Sequence, residues 1–193
     1  MPKLVGVRER RHQYYYDTII RCDVMDAPNP QIQQDTSLFN GTNLGLKYWT
    51  NMQVAGVFAS DETYVVLAMR CWIMFGGPYG FAWTGAAHQL VAHQLYLTLE
   101  VGDKPQFQGP CWSFPAGGGI YGMQNLGNGE PTAESLLKFA KPIPIPARQH
   151  FHVKASFYDT GATSVRTWLN SNVSYALREI KVFIDGLHTR DVL

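Results

Sequence analysis

The sequence predicts an all-β chain, a sandwich or barrel of antiparallel strands in one domain, on three observations. Apolar residues recur with a period of two in several separate segments. Clusters of Gly, Pro, Asn and Asp separate those segments, and only one short stretch carries a helical pattern. At 193 residues the chain suits a single domain, divided here into residues 1–62 (a basic segment, a first strand and an extended arm) and a core over residues 63–193.

Each element follows from its own pattern. "YYYDTIIRC" near the start reads as a first strand, and Asp23 to Glu62, without periodicity and rich in Asn, Gln, Gly and Thr, as an arm. In "TYVVLAMRCWIMF" the odd positions Val65, Leu67, Met69, Cys71, Ile73 and Phe75 are all apolar, which predicts a long strand with these residues in the core. Its even positions include Arg70, Trp72 and Met74, a second face unusually apolar for water. "HQLYLTLEV" points Leu95, Leu97, Leu99 and Val101 inward, followed by a turn at Gly102-Asp103. "TAESLLKFAK" reads as the one short helix, with Thr132 as N-cap, and "KPIPIPARQ" as extended chain away from any central ladder. "HFHVKASFY" turns Phe151, Val153, Ala155 and Phe157 inward and His150, His152 and Lys154 outward. "REIKVFIDG" buries Ile180, Val182 and Ile184 and exposes Glu179, Lys181 and Asp185.

Composition narrows the function. The chain is 46% hydrophobic and only 16% charged, against about 25% for an ordinary soluble domain, so much of its surface is expected to be covered by something else, copies of itself being one such cover. A net charge of +1 argues against a dedicated nucleic-acid binder. Cys22, Cys71 and Cys111 are widely spaced and form no CxxC pair, which fits a chain made in a reducing compartment. The start shows no apolar core of a signal peptide, and the most apolar run, Tyr64 to Phe75, is too short to cross a membrane as a helix.

Candidate chemistry is sparse. The triplet Gly117-Gly118-Gly119 is followed by neither Lys nor a helical pattern, so it reads as a turn and not as a phosphate loop. His150 and His152 are the candidate metal ligands, two imidazoles on one strand face, but Lys154 shares that face and no Glu follows at ligand spacing. Surface histidines are the expectation, with no cofactor. His88 and His93 share no face, and Ser113, Ser135 and Ser156 sit in no nucleophile elbow. Lys3, Arg8, Arg10 and Arg11 stand against Glu9 alone, either a solvated tail or an arm that touches the phosphates of a genome or of lipid headgroups.

Four segments together carry a resemblance: "YWTNMQVAGVFASDETYVVLAMRCWIMF", "GDKPQFQGPCWSFPAGGGIYG", "KPIPIPARQHFHVKASF" and "REIKVFIDGLHTRDVL". In order and character they are similar to the single jelly-roll capsid proteins of small icosahedral, often internally membrane-containing bacteriophages, over roughly Tyr48 to Leu193. The resemblance is one of pattern, without a signature motif. It implies a single eight-stranded antiparallel jelly-roll with a long N-terminal arm. It also implies a coat subunit of the virion, made in the host cytoplasm, whose partners are copies of itself and other capsid proteins. No catalysis and no small-molecule substrate are implied. Arg70, Trp72 and Met74 would then lie in a subunit interface, and Lys3, Arg8, Arg10 and Arg11 on the side of the packaged genome or an internal membrane. Two other classes stay open. One is a cupin-type metal-dependent enzyme using His150 and His152; the other is a β-sandwich spike or carbohydrate-binding module stacking sugars on Trp72, Trp83 or Trp112.

Overall fold

A computed structural model describes residues 7–20, 35–42, 44–75, 91–114, 138–158 and 177–192. Within them the chain forms eight strands: β1 (Val7–Ile20), β2 (Asp35–Leu38), β3 (Glu62–Phe75), β4 (Leu95–Val101), β5 (Lys104–Pro110), β6 (Lys138–Ile145), β7 (Phe151–Phe157) and β8 (Leu177–Val192). They make two four-stranded sheets with the orders β1-β8-β3-β6 and β2-β7-β4-β5, and every pairing is antiparallel. A helical turn at residues 91–94 enters β4, and a 3₁₀ turn, Cys111–Ser113, follows β5.

The core lies between the sheets. The first sheet contributes Tyr15, Tyr64, Met69 and Ile184, and the second Leu97, Leu99, Phe151 and Val153, all buried. The alternating patterns of β4 and β7 reach the structure unchanged, because each strand turns one face to the core and one outward. Gly102 begins the β4–β5 turn at φ +61°, a conformation glycine adopts without a clash at Cβ.

β3 departs from its expected alternation. A register shift between Val66 and Ala68 leaves Leu67 as the extra residue, a β-bulge. Beyond it Met69, Cys71 and Ile73 face the core as the odd positions predict; before it Tyr64 and Val66 do, and Val65 turns outward. The bulge sits against Gly186 of β8, where a Cβ would lie 2.0 Å from the carbonyl oxygen of Val65. Only glycine allows that approach.

Three further expectations change. Of the helix expected over "TAESLLKFAK", the last four residues, Lys138 to Lys141, belong to β6, where Lys138 pairs with Ala68 of β3, and the rest lies outside the described residues. Helix propensity is a weak prior that strand pairing overrides. The basic start is no free arm over its described part: Arg8, Arg10 and Arg11 are in β1, paired with β8 from Val7↔Val192 inward. The segment expected as a long arm contains β2, and residues 47–52 of it lie along the free edge of β1.

Candidate functional site

Three places gather the residues singled out by the sequence. On the outer face of the first sheet, Arg70 stands opposite Phe183 and Trp72 opposite Lys181 in the β3–β8 ladder. The Arg70 guanidinium forks onto Asp185, Nε to Oδ2 at 2.6 Å and Nη2 to Oδ1 at 2.9 Å, and lies over the Phe183 ring at 4.7 Å. A bidentate, partly buried pair of this kind fixes side-chain geometry more than it adds stability.

Beside it Lys181 is enclosed by aromatic rings. Its Nζ is 4.0 Å from the Tyr48 ring centroid and within about 6 Å of those of Tyr16, Trp49 and Trp72, the reach of a cation–π contact. Lys181, expected outside, is therefore buried on the outer face, under rings brought partly by the 47–52 segment. Met74 lies in the ladder opposite Glu179; its side chain is outside the described ones.

That segment is held to β1 by a dense set of hydrogen bonds. Asn51 accepts from Tyr16 N at 2.8 Å through Oδ1 and donates to Tyr14 O at 2.9 Å through Nδ2, so its amide stands in for a neighbouring strand. Thr18 Oγ1 donates to Trp49 O, Thr50 Oγ1 to Tyr16 O, and the Tyr16 hydroxyl to Lys47 O. A buried carboxylate of β1 also ties in the end of β2: Asp17 Oδ2 accepts from the backbone N–H of Phe39 at 2.5 Å.

At the start of β1 two ion pairs tie the strand to β8. Arg8 Nε donates to Asp191 at 3.0 Å, and Glu9 accepts from Arg190 at 2.7 Å. The Arg190 guanidinium holds the Glu9 carboxyl below its ordinary range. Arg10 and Arg11 are exposed, and Lys3 lies outside the described residues.

The histidine pair lies on the outer face of the second sheet, ring centroids 5.6 Å apart. The carboxylate missing from the local sequence comes from across the ladder. Glu100 of β4 faces His152 of β7, its Oε2 3.1 Å from His152 Nε2. Lys154 turns to Asp35 at 3.5 Å, and Ser156 and that lysine together hold the Asp35 carboxyl low. Among the described residues no three His, Cys, Asp or Glu side chains stand together closely enough to hold a metal ion. A lone imidazole–carboxylate pair orients the ring and offers no chelate.

Cys71 and Cys111 are free, buried and hydrogen-bonded to each other, and burial pushes the Cys71 thiol well up, away from the reactive thiolate. Trp112 is exposed beside His93, with centroids 6.3 Å apart. Cys22, Trp83, His88, the glycine triplet and Ser135 lie outside the described residues. No helix among those residues is long and apolar enough to cross a membrane.

Sequence reasoning missed Glu100, Asp185 and the ring of aromatics around Lys181, because each is joined to its partner only by strand pairing or by the 47–52 segment. No protein-family model, no curated protein and no solved structure matches this chain.

Proposed function

We propose that this protein is a shell-forming subunit of a virus particle, a single jelly-roll coat protein that assembles with copies of itself into an icosahedral shell. It works by packing, with no catalytic step. The observation that carries the reading is the strand pairing. β1 pairs with β8, β2 with β7, β3 with β6 and β4 with β5, the nested order that results when one antiparallel ribbon of chain is rolled up. Rolling sends β1, β3, β6 and β8 to one sheet and β2, β4, β5 and β7 to the other.

Such a fold hosts many functions, so assembly needs its own support. The support is a surface short of charge and an outer sheet face built from Tyr14, Phe183, Trp72 and the Arg70–Asp185 fork. Aromatic residues and arginine are the side chains enriched in the centres of protein interfaces. The partners are then copies of this chain and other coat proteins. Arg10 and Arg11 would face a packaged genome or an internal membrane.

Electron microscopy and light scattering of the purified chain test the reading. Trp72→Glu should weaken each contact by about 2 kcal/mol or more and abolish particles, with the circular dichroism spectrum unchanged. A wild-type chain that stays monomeric at high concentration across several salt conditions would overturn it.

A further inference from the structure

The loop between β2 and β3 carries an exposed apolar surface, in which Tyr48 also covers Lys181 of β8 with its ring. Among the described residues, Leu44 (38% exposed), Leu46 (51%), Tyr48 (60%) and Val54 (59%) are large hydrophobics open to solvent, all on one short segment. Tyr14, 49% exposed, adjoins them, because Asn51 of the same segment bonds its carbonyl.

Two properties separate this surface from an ordinary loop. First, it is pre-organised. The hydrogen bonds of residues 47–51 to β1, with turns closed by Leu44 N to Gly41 O and Trp49 N to Leu46 O, fix the backbone, while Leu44, Leu46, Tyr48 and Val54 keep between 38% and 60% of their surface open. A segment whose task was only to cover the edge of β1 would carry polar residues outward. Ordering entropy, a principal cost of association, is here met in advance by the fold.

Second, it is nearly uncharged. From Leu44 to Phe58 the one ionisable side chain with a formal charge is Lys47. An anionic lipid surface would call for several basic residues, and a charged macromolecule for a complementary set. The five side chains expose on the order of 500 Å², near the top of the range for a monomer's largest apolar patch. That is roughly two-thirds of what each partner buries in a stable complex. Among the described residues no other segment concentrates exposed apolar side chains in this way.

We infer that the 44–54 segment is a homotypic docking surface, on which the same segment of a second copy of this chain packs about a two-fold axis. The inference rests on the assembly reading and gives it a specific contact. A two-fold contact opposes each residue to itself or to a close neighbour on the same segment. The same charge placed on both copies therefore repels, and opposite charges on two copies attract.

Charge exchange tests this with the full-length chain in sedimentation velocity. Leu46→Glu/Val54→Glu and Leu46→Lys/Val54→Lys, each alone, should shift the protein to smaller species, with association weakened at least tenfold. Mixed in equal amounts, the two variants should recover the larger species. That recovery also establishes that both are folded. If either variant alone associates as the wild type does, the docking surface is wrong while the shell reading stands. Loss of association in each variant without recovery on mixing would overturn the homotypic contact. Flotation with neutral phosphatidylcholine vesicles should leave the wild type in the soluble fraction. Flotation that both double variants abolish would make lipid the occupant and overturn the proposal. A wild type that is monomeric throughout would remove the assembly reading itself.

Discussion

His188 lies in the core with neither ring nitrogen hydrogen-bonded among the described residues, packed against Tyr15, Phe58 and Tyr64. A buried polar group without a partner costs free energy. The imidazole lowers that cost by staying neutral, and burial holds its pKa below the ordinary 6.5. Glu62, 3.6 Å away on β3, pulls the other way; Arg11 on β1 and Arg190 on β8 reinforce the lowering. The unfolded chain therefore binds a proton near pH 6.5 that the folded chain refuses. Stability is full above that pH and falls as the pH drops below it. The urea midpoint at pH 5.5 should be lower than at pH 7.5, and His188→Phe, which suits the surrounding rings, should lose this part of the pH dependence. Parallel profiles for the two proteins would exclude the mechanism. Nothing in the local sequence "GLHTRD" singles this histidine out, since its environment is made by three other segments of chain.

Strands, in contrast, were legible wherever one face meets the core and the other meets water. β4 and β7 are such cases, and their buried residues are ones the alternation names; in β8 Ile180, Val182 and Ile184 are buried as named, but Lys181 and Asp185, named as outward, are covered too. β5 was not legible, because it is an edge strand mostly exposed, and β2, four residues long, is too short for a period to register. β3 was read as a strand with the wrong inner face before Leu67, because a bulge shifts the alternation and leaves no mark in composition. The 47–52 segment was read as a featureless arm, and its order comes from side-chain amides and hydroxyls that replace a strand. Asn51 is the centre of that replacement. Asn51→Ala leaves Tyr16 N–H and Tyr14 C=O without these partners, at a cost of about 1–3 kcal/mol, and reopens the β1 edge to other chains. Chemical denaturation should show the loss, and aggregation on warming should begin earlier. An unfolding free energy within about 0.5 kcal/mol of the wild type would mean that the segment does not hold the edge.

At the scale of the molecule, strand order dictates when the fold can form. The second sheet, β2-β7-β4-β5, has all its strands by Phe157, whereas the first places its last strand, β8, between β1 and β3. Until Leu177–Val192 is present, β1 has no partner within the sheet, and β3 pairs only with β6. Ile180, Val182 and Ile184 are also missing from the core, so the inner face of the second sheet has little to pack against. The pairing Val7↔Val192 joins the two ends of the described chain, a contact of the highest sequence separation, and such contacts form slowly. A chain truncated after residue 176 should therefore lack a cooperative thermal transition and expose apolar surface to a hydrophobic dye. The intact chain should unfold in one transition and refold on a timescale of milliseconds or longer. A cooperative melt of the truncated chain close to the wild-type midpoint would show that the second sheet is stable by itself. Under the shell reading this dependence has a use: the Arg70–Asp185 fork and the Lys181 cage both need β8, so the outer face on which copies would meet is completed only when the chain is.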